Sequence, residues 1–208
     1  TSKPTALFSN TQIENPNLML EGMPNYRSGV DGLRVSNSTK GGITFAASTT
    51  QNGIHMITVV LGVEAVDGDP YARFVATSSL MNYVVRTFVS SIVVKEGDPY
   101  GKSKATIMDG KSETVLAVAK KDFYIVEKQG SQAEPKIQFK SDQESFRAPV
   151  KSGTNLGKIH YTDPDKIGRG YLEDQEPTVD MVAGRTIEKS FFLKVWWNEF
   201  VRYVNEKL

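Results

Sequence analysis

The densest group of residues with chemical potential lies in the run from Gly22 to Ala47, GMPNYRSGVDGLRVSNSTKGGITFAA. There Val30-Asp31-Gly32-Leu33 leads into Arg34, Val35, Ser36, Asn37 and Ser38, and Gly42 follows six residues after Ser36. Elsewhere reactive side chains are thinly spread. Cysteine is absent, which removes thiol nucleophiles, thiolate zinc sites and disulfide frameworks together. His55 falls in an alternating strand pattern, and His160 has only Tyr161, Asp163 and Asp165 beside it, so each reads as a packed or surface histidine. Asp163, Asp165, Glu173, Asp174 and Glu176 are interspersed with Pro and Gly and lack the fixed spacing of a calcium loop, so they read as a solvated loop. The tripeptide Lys151-Ser152-Gly153, in RAPVKSGTNLGKIHY, reads as a polar hairpin between two strands. None of these sets implies a metal or a cofactor.

The glycine frame of the first run resembles the active-site strand of the low-molecular-mass penicillin-binding proteins, the serine-type D-alanyl-D-alanine carboxypeptidases. In that family V-D-G-L leads directly into K-T-G, and a Gly follows six residues later. By the resemblance, Arg34, Val35, Ser36, Asn37 and Ser38 form the substrate-binding strand. The family's Lys supplies a positive field, its Thr hydroxyl holds the substrate's terminal carboxylate, and its Gly lets the acyl-peptide backbone approach closely. Here Arg34 keeps the charge as a bulkier planar fork, Val35 has no hydroxyl, and Ser36 adds a Cβ. The family's nucleophile motif S-x-x-K and its S-x-N are absent, since no Ser is followed by Lys three positions on or by Asn two positions on. No catalytic residue is therefore assigned in this chain.

The opening TSKPTALFSNT resembles the stretch preceding that strand in streptococcal and enterococcal members, which implies the C-terminal part of a longer protein. The implied parent is a Gram-positive carboxypeptidase at the outer face of the cytoplasmic membrane. Its substrate would be the peptidoglycan stem pentapeptide, β-lactams would acylate the same serine, and the 208-residue chain alone would be inactive. The alternative is a catalytically dead homologue, anchored at the membrane, that binds the cell wall or acts as a scaffold. A complementing N-terminal fragment or self-association are the implied protein partners.

The elements that must position the run follow from hydrophobic periodicity. A strand near Leu33–Ser36 precedes β-rich runs at Ile43–Ser48 and Ile54–Leu61, joined through Thr49-Thr50-Gln51-Asn52-Gly53, where Asn-Gly is a hairpin signal. A helix follows, with Asp69 as N-cap, Pro70 in its first position, and Phe74, Met81, Val85 and Phe88 at helical spacing. KEGDPYGKSK, after Val94, reads as a linker or the entry to a new domain. Alternating segments at Glu113–Ala119, Asp122–Lys128, Lys136–Lys140, Gly157–Tyr161 and Thr178–Ala183 read as a small all-β, sandwich-like domain. The family has such a domain after the catalytic one, and Ala148-Pro149-Val150-Lys151 through Gly157 resembles its pattern. The expected fold class is α+β: the end of a penicillin-recognising, transpeptidase-like domain over 1–95, an all-β domain over 96–187, and an amphipathic helix over 188–208.

Length permits one large or two modest domains, and a net charge of +1 leaves no electrostatic footprint for nucleic acid. The last segment, FFLKVWWNEFVRYVNEKL, divides at helical spacing into two faces. Phe192, Leu193, Trp196, Trp197, Phe200, Val201 and Val204 form the expected membrane-binding face, with Tyr203 and Leu208 on the same half. Lys194, Asn198, Glu199, Arg202, Asn205 and Glu206 lie opposite, while Phe191 and Val195 break the pattern. A span needs about 20 mostly apolar residues, so this segment is too short and too charged to cross a bilayer. Paired Trp residues on one face favour the headgroup boundary, which predicts an interfacial helix lying on the membrane. The competing expectation is a terminal helix that packs its aromatic face on the β-domain or on another chain.

Overall fold

The computed structural model describes residues 3–8, 11–38, 41–64, 68–171, 173 and 175–207; Asp174 of the acidic stretch and Leu208 of the terminal helix lie outside the described residues. The chain divides into two compact units. One comprises Thr1–Ser90 with Val126–Ser131, and the other comprises Ser91–Ile125 with Gln132–Leu208. The fold class is α+β, with sheets that are antiparallel except for one short parallel strand pair, and two helices among the described residues.

In the first unit, β1 (Thr5–Phe8) and β2 (Thr11–Glu14) form a small hairpin. The sheet that matters for function is an antiparallel meander of β3 (Val30–Ser38), β4 (Gly42–Gln51) and β5 (Ile54–Val63), in that spatial order. Its β4–β5 turn is as Asn-Gly predicts: Asn52 and Gly53 both have positive φ, 52° and 75°, the conformation a two-residue hairpin of matching twist requires. Strand β5 alternates along its length. Ile54, Met56, Thr58 and Val60 are buried, and His55, Ile57, Val59 and Leu61 are exposed, so one face of the sheet is packed and the other open.

The packed face meets helix α1 (Ala72–Thr87) through Phe74, Thr77 and Met81. Phe45 and Phe74 meet edge to face with centroids 5.1 Å apart, and Met19 and Leu20 complete the core with no exposure. Burying a side chain of this size stabilises by about 1.5–3 kcal/mol. Two expectations about α1 are corrected. Tyr71, not Asp69, stands at its N-cap, while the Asp69 carboxylate accepts the Tyr71 N–H at 2.9 Å in a turn before the helix. Phe88 is not in the helix: it is extended (φ −122°, ψ 152°) and begins β6 (Phe88–Val94), whose run of β-branched residues favours a strand. β6 pairs with β9 (Phe123–Lys128), and the boundary between the units falls within these two strands.

The second unit is built on a six-stranded sheet. Its strands are β7 (Pro99–Met108), β8 (Thr114–Ala119), β10 (Lys136–Ser141), β11 (Phe146–Arg147), β12 (Asn155–Thr162) and β13 (Thr178–Ala183), in the order β10-β12-β13-β8-β7-β11. Of the two readings of KEGDPYGKSK, linker or entry to a new domain, the second describes it: the stretch lies in the second unit, and Pro99 opens the ten-residue strand β7 at a strand position where its missing N–H costs little. Ser103, Ala105 and Ile107 of β7 point inward and Lys102, Lys104 and Thr106 outward. The core joins Ala105 and Ile107 to Val115, Leu156, Ile159, Tyr161, Val179 and Met181. A bulge in β12 brings Gly157 close to β10: a Cβ there would lie 2.1 Å from the Lys140 carbonyl oxygen, at φ +150°. Helix α2 (Phe192–Lys207) closes the described chain.

Candidate functional site

Strand β3 is an edge strand, with β4 on one side and no strand on the other among the described residues. Its register against β4 places Arg34 opposite Ala46 and Ser36 opposite Thr44, and Ala46 in turn faces Val59 of β5. Arg34, Ser36, Thr44, Phe45, Ala46, Val59 and Leu61 line a shallow depression of about 130 Å³ on the open side of the sheet. Alternation sends Val35 and Asn37 to the other side, where Val35 packs half-buried against the α1 core. The structure thus brings Arg34 and Ser36 together and separates Val35 and Asn37 from them. Ser38 ends the strand, paired with Gly42, and the side chains of Arg34 and Ser36 are exposed.

What holds this edge in place is a residue that sequence reasoning missed. Arg73, on the first turn of α1, is buried and reaches back to the end of the β3–β4 hairpin. Its Nη1 donates to the carbonyl oxygens of Ser36 at 3.1 Å and Thr44 at 3.2 Å, and its Nη2 donates to Asn37 Oδ1. Burial lowers its pKa from the ordinary guanidinium value, a cost that these acceptors offset. The detectable signal was positional: Arg73 adjoins Phe74 on the face that Thr77 and Met81 bury, where a solvated arginine does not belong. At the other end of β3, buried Asn17 donates from Nδ2 to the Gly32 carbonyl at 3.3 Å, while its Oδ1 accepts the Met19 N–H at 3.0 Å. Half-buried Arg27 donates to the Ser78 carbonyl, Asn82 Oδ1 and Gln51 Oε1, which ties the loop before β3 to α1 and the β4–β5 turn. Gly29 completes the clamp. Its φ is +81°, and a Cβ there would stand 2.4 Å from the Thr50 carbonyl oxygen.

The remaining sequence candidates fall outside this site. His55 Nε2 lies 3.2 Å from Ser48 Oγ on the same open face, and half-buried His160 sits in β12 between Gln138 and Thr178. Lys151-Ser152-Gly153 forms a turn closed by the Thr154 N–H on the Lys151 carbonyl, with Ser152 Oγ donating to the Ala183 carbonyl. In the acidic stretch Thr162 Oγ1 donates to Glu176, and burial with nearby Asp163 and Glu176 raises the Tyr171 pKa.

The second candidate site is α2. Its aromatic side chains, Phe192, Trp196, Trp197, Phe200 and Tyr203, are exposed, as is Phe191 just before it, whereas Val195, Asn198 and Arg202 form a half-buried stripe about two turns long. That stripe docks on the end of β7. Asp109, with a side chain only 2 % exposed, accepts from Arg202 Nη2 at 3.1 and 3.3 Å, from Arg147 Nε at 3.2 Å and from Asn198 Nδ2 at 3.5 Å. Burial pushes the Asp109 carboxyl up, and the hydrogen bonds and charges of Arg202, Asn198 and Arg147 outweigh it, so the net shift is downward. Arg147 also pairs with Glu199 at 3.2 Å, and Lys194 with Glu113 at 3.8 Å. The expectation that the helix packs its aromatic face on the β-domain is therefore corrected: the contact is made by the polar stripe. Of the expected membrane-binding residues, Phe192, Leu193, Trp196, Trp197, Phe200 and Val201 are exposed, and Val204 is half-buried. No helix among the described residues is long and apolar enough to cross a membrane.

Comparison with known proteins agrees with this architecture. The sequence pattern of a family described as "Penicillin-binding protein 5, C-terminal domain" matches residues 88–189. The D-alanyl-D-alanine carboxypeptidase DacA of Haemophilus influenzae is 26 % identical over 133 residues, covering 64 % of this chain and 32 % of the relative. DacD of Salmonella typhimurium is 22 % identical over 138 residues, covering 66 % and 34 %. The crystal structure of a peptidoglycan synthesis regulatory factor (PBP3) from Streptococcus pneumoniae superposes with a TM-score of 0.85 at 43 % identity, over 90 % of this chain and 51 % of that one. Penicillin binding protein 5 from Haemophilus influenzae shares the fold, with a TM-score of 0.59 at 22 % identity over 90 % and 50 % of the two chains. The chain spans about a third of the length of these curated relatives and about half of these solved structures.

Proposed function

We propose that the chain is the C-terminal part of a low-molecular-mass penicillin-binding protein, a serine-type D-Ala-D-Ala carboxypeptidase that trims peptidoglycan stem pentapeptides outside the cytoplasmic membrane. The observation that carries this reading is the open outer edge of β3, with Arg34 and Ser36 exposed on one face and the strand clamped by Arg73 and Asn17. An unpaired strand edge presents backbone N–H and C=O groups that an extended peptide can pair with, and a guanidinium beside it draws a terminal carboxylate. In this role Arg34 supplies the positive field. Ser36 Oγ and the N–H groups of Asn37 and Ser38 are the available donors.

The reaction is acyl transfer: a serine, activated by a neighbouring lysine, attacks the penultimate D-Ala carbonyl, the terminal D-Ala leaves, and water releases the acyl group. That serine and lysine are not among these 208 residues, so the chain alone neither hydrolyses the peptide nor holds penicillin covalently. A fluorescent penicillin is the test. The expected result is no labelled band, and a stable adduct on this chain would overturn the assignment.

In the same reading, α2 attaches the protein to the outer face of the cytoplasmic membrane. The exposed Trp196, Trp197 and Phe200, with the polar stripe engaged elsewhere, have the amphipathic character that seats aromatic rings at the headgroup boundary. Co-sedimentation with lipid vesicles should fall when residues 188–208 are removed, and undiminished binding would defeat the anchor. The alternative, a dead homologue that binds the cell wall as a membrane-anchored scaffold, draws on Val35: the middle position of the tripeptide has no hydroxyl, and its side chain faces α1. An intact nucleophile motif in the rest of the protein would exclude it.

A further inference from the structure

The outward face of the six-stranded sheet carries a charge pattern that neither β3 nor α2 accounts for. Strand register puts Lys140, Lys158, Asp180 and Lys120 in one row across β10, β12, β13 and the end of β8. Neighbouring rows place Val182 opposite Val118, and Leu116 opposite Lys104. Among the described residues Asp180 is the only acid on these rows, and it is already shared between Lys120 at 3.9 Å and Lys158 at 3.8 Å. Lys104, Lys140 and Arg185 are exposed and form no ion pair with a described residue. The whole chain carries a net charge of only +1, so this face concentrates positive charge rather than reflecting a basic protein.

The face is also concave. A groove of about 530 Å³ is lined by Gly97 and Pro99, which flank the exposed Asp98, and by Gly184 and Arg185. Leu116 and Val118 form its floor, Lys104 and Arg185 stand at its walls, and Thr114 contributes a hydroxyl. Leu116 is 46 % exposed there, an apolar side chain left in water in a groove whose two charged lining residues, Lys104 and Arg185, are both cations. The volume lies within the range of small-ligand sites.

We propose that this groove binds a short extended peptide that carries carboxylates and small apolar side chains. Each half of the chemistry selects against another occupant. A polyphosphate or similar hydrophilic polyanion would satisfy Lys104 and Arg185 and leave the Leu116–Val118 floor unmatched. A flat lipid surface would meet the cations and could not enter a concave groove. A peptide with alternating side chains offers both, since carboxylates two residues apart lie on one side of an extended backbone and methyl groups on the other. The site uses none of the residues assigned to β3 or α2, so it stands or falls separately from the proposed function.

The test uses the full chain and a fluorescein-labelled hexapeptide of alternating Ala and Glu, read by anisotropy. Saturable binding is expected, with Leu116 and Val118 among the backbone amides whose NMR signals move. The Lys104→Glu/Arg185→Glu pair should weaken binding by about tenfold or more at an unchanged melting temperature, because both charges are exposed and form no ion pair with a described residue. Should that pair melt early, Lys104→Gln/Arg185→Gln keeps the question open to decision, with a loss of about fivefold expected. An Ala–Gln peptide should bind about tenfold more weakly than Ala–Glu. The proposal is overturned by equal binding of the two peptides, by charge variants that bind normally, by no binding at millimolar peptide, or by hexametaphosphate competing as well as the peptide. It is likewise overturned if binding to phosphatidylglycerol vesicles, rather than to peptide, is what the charge variants lose.

Discussion

Replacing Asp109 with Asn should loosen α2 from the β-domain without altering its aromatic face. The substitution is nearly isosteric, and Asn is among the few residues that tolerate the φ of +60° found at this position, so backbone strain is held constant. What changes is the charge. Asp109 is the shared acceptor for Arg202, Arg147 and Asn198, and its side chain is almost wholly excluded from solvent. Removing one partner of a buried ion pair costs about 3–5 kcal/mol, but here Arg202 and Arg147 are 34 % and 58 % exposed and regain water when the carboxylate is lost. The expected loss is therefore smaller, about 1–3 kcal/mol, on the scale of hydrogen bonds to charged groups. Amide hydrogen exchange reads it directly: α2 amides should exchange about tenfold to a hundredfold faster, while those of β8 and β13 stay protected.

Acid should act on the same contact. The Asp109 pKa is lower in the folded chain than in the unfolded one, so its contribution is fully present above the ordinary carboxylate value of about 3.9 and is lost as pH falls through the lower folded value. Wild-type α2 should thus approach the variant's exchange behaviour only in strong acid, and Asp109→Asn should show no such acid step. Unchanged α2 protection in the variant, or an acid step that survives the substitution, would refute the latch. A cycle with Arg202→Met should return a coupling of about 1 kcal/mol or more between the two sites.

Two further substitutions test the scaffolds. Arg73→Leu leaves the Ser36 and Thr44 carbonyls and Asn37 Oδ1 without their buried donor, so urea unfolding of the first unit should show a loss of about 2–4 kcal/mol, with β3 amides the first to lose protection. Gly157→Ala drives a Cβ into the Lys140 carbonyl at φ +150° and should cost about 3 kcal/mol or more in thermal unfolding; a neutral result would mean that β10 is not held where the register puts it.

How far the sequence carried the reading depended on whether each signal was local. Asn52-Gly53 announces its turn because two successive positive φ values demand those residue types. The stripe of Phe74 and Met81 announces α1 because a helix buries every third or fourth residue. Strand β7 was hidden because its inward residues, Ser103 and Ala105, are too small to look like a core, and its lysines and glycine suggest a linker. Their alternation was the available clue. Asp109 and Arg73 were harder to find: each is a charged residue whose partners lie far along the chain, in α2 and in β3–β4 respectively, and only the closed fold shows that either is buried. Val195 broke the two-faced pattern of the last helix for the same reason, since it belongs to the docking stripe with Asn198 and Arg202.

The Asp109 contact also gives the terminal helix a rotational phase. A free amphipathic helix can spin about its axis, and its apolar side is wherever the solvent allows. Arg202 and Asn198, held four residues apart on one carboxylate, stop that rotation, so the direction in which Trp196 and Trp197 point is determined by their spacing from Asn198. Successive residues of a helix are turned by roughly 100°. One residue inserted between Trp197 and Asn198 would therefore swing Phe192, Trp196 and Trp197 through roughly that angle relative to Phe200 and Tyr203, splitting the aromatic face while Asn198 and Arg202 keep their carboxylate. Register along α2 is in this sense an angular coordinate, set by the β-domain and read out by the tryptophans.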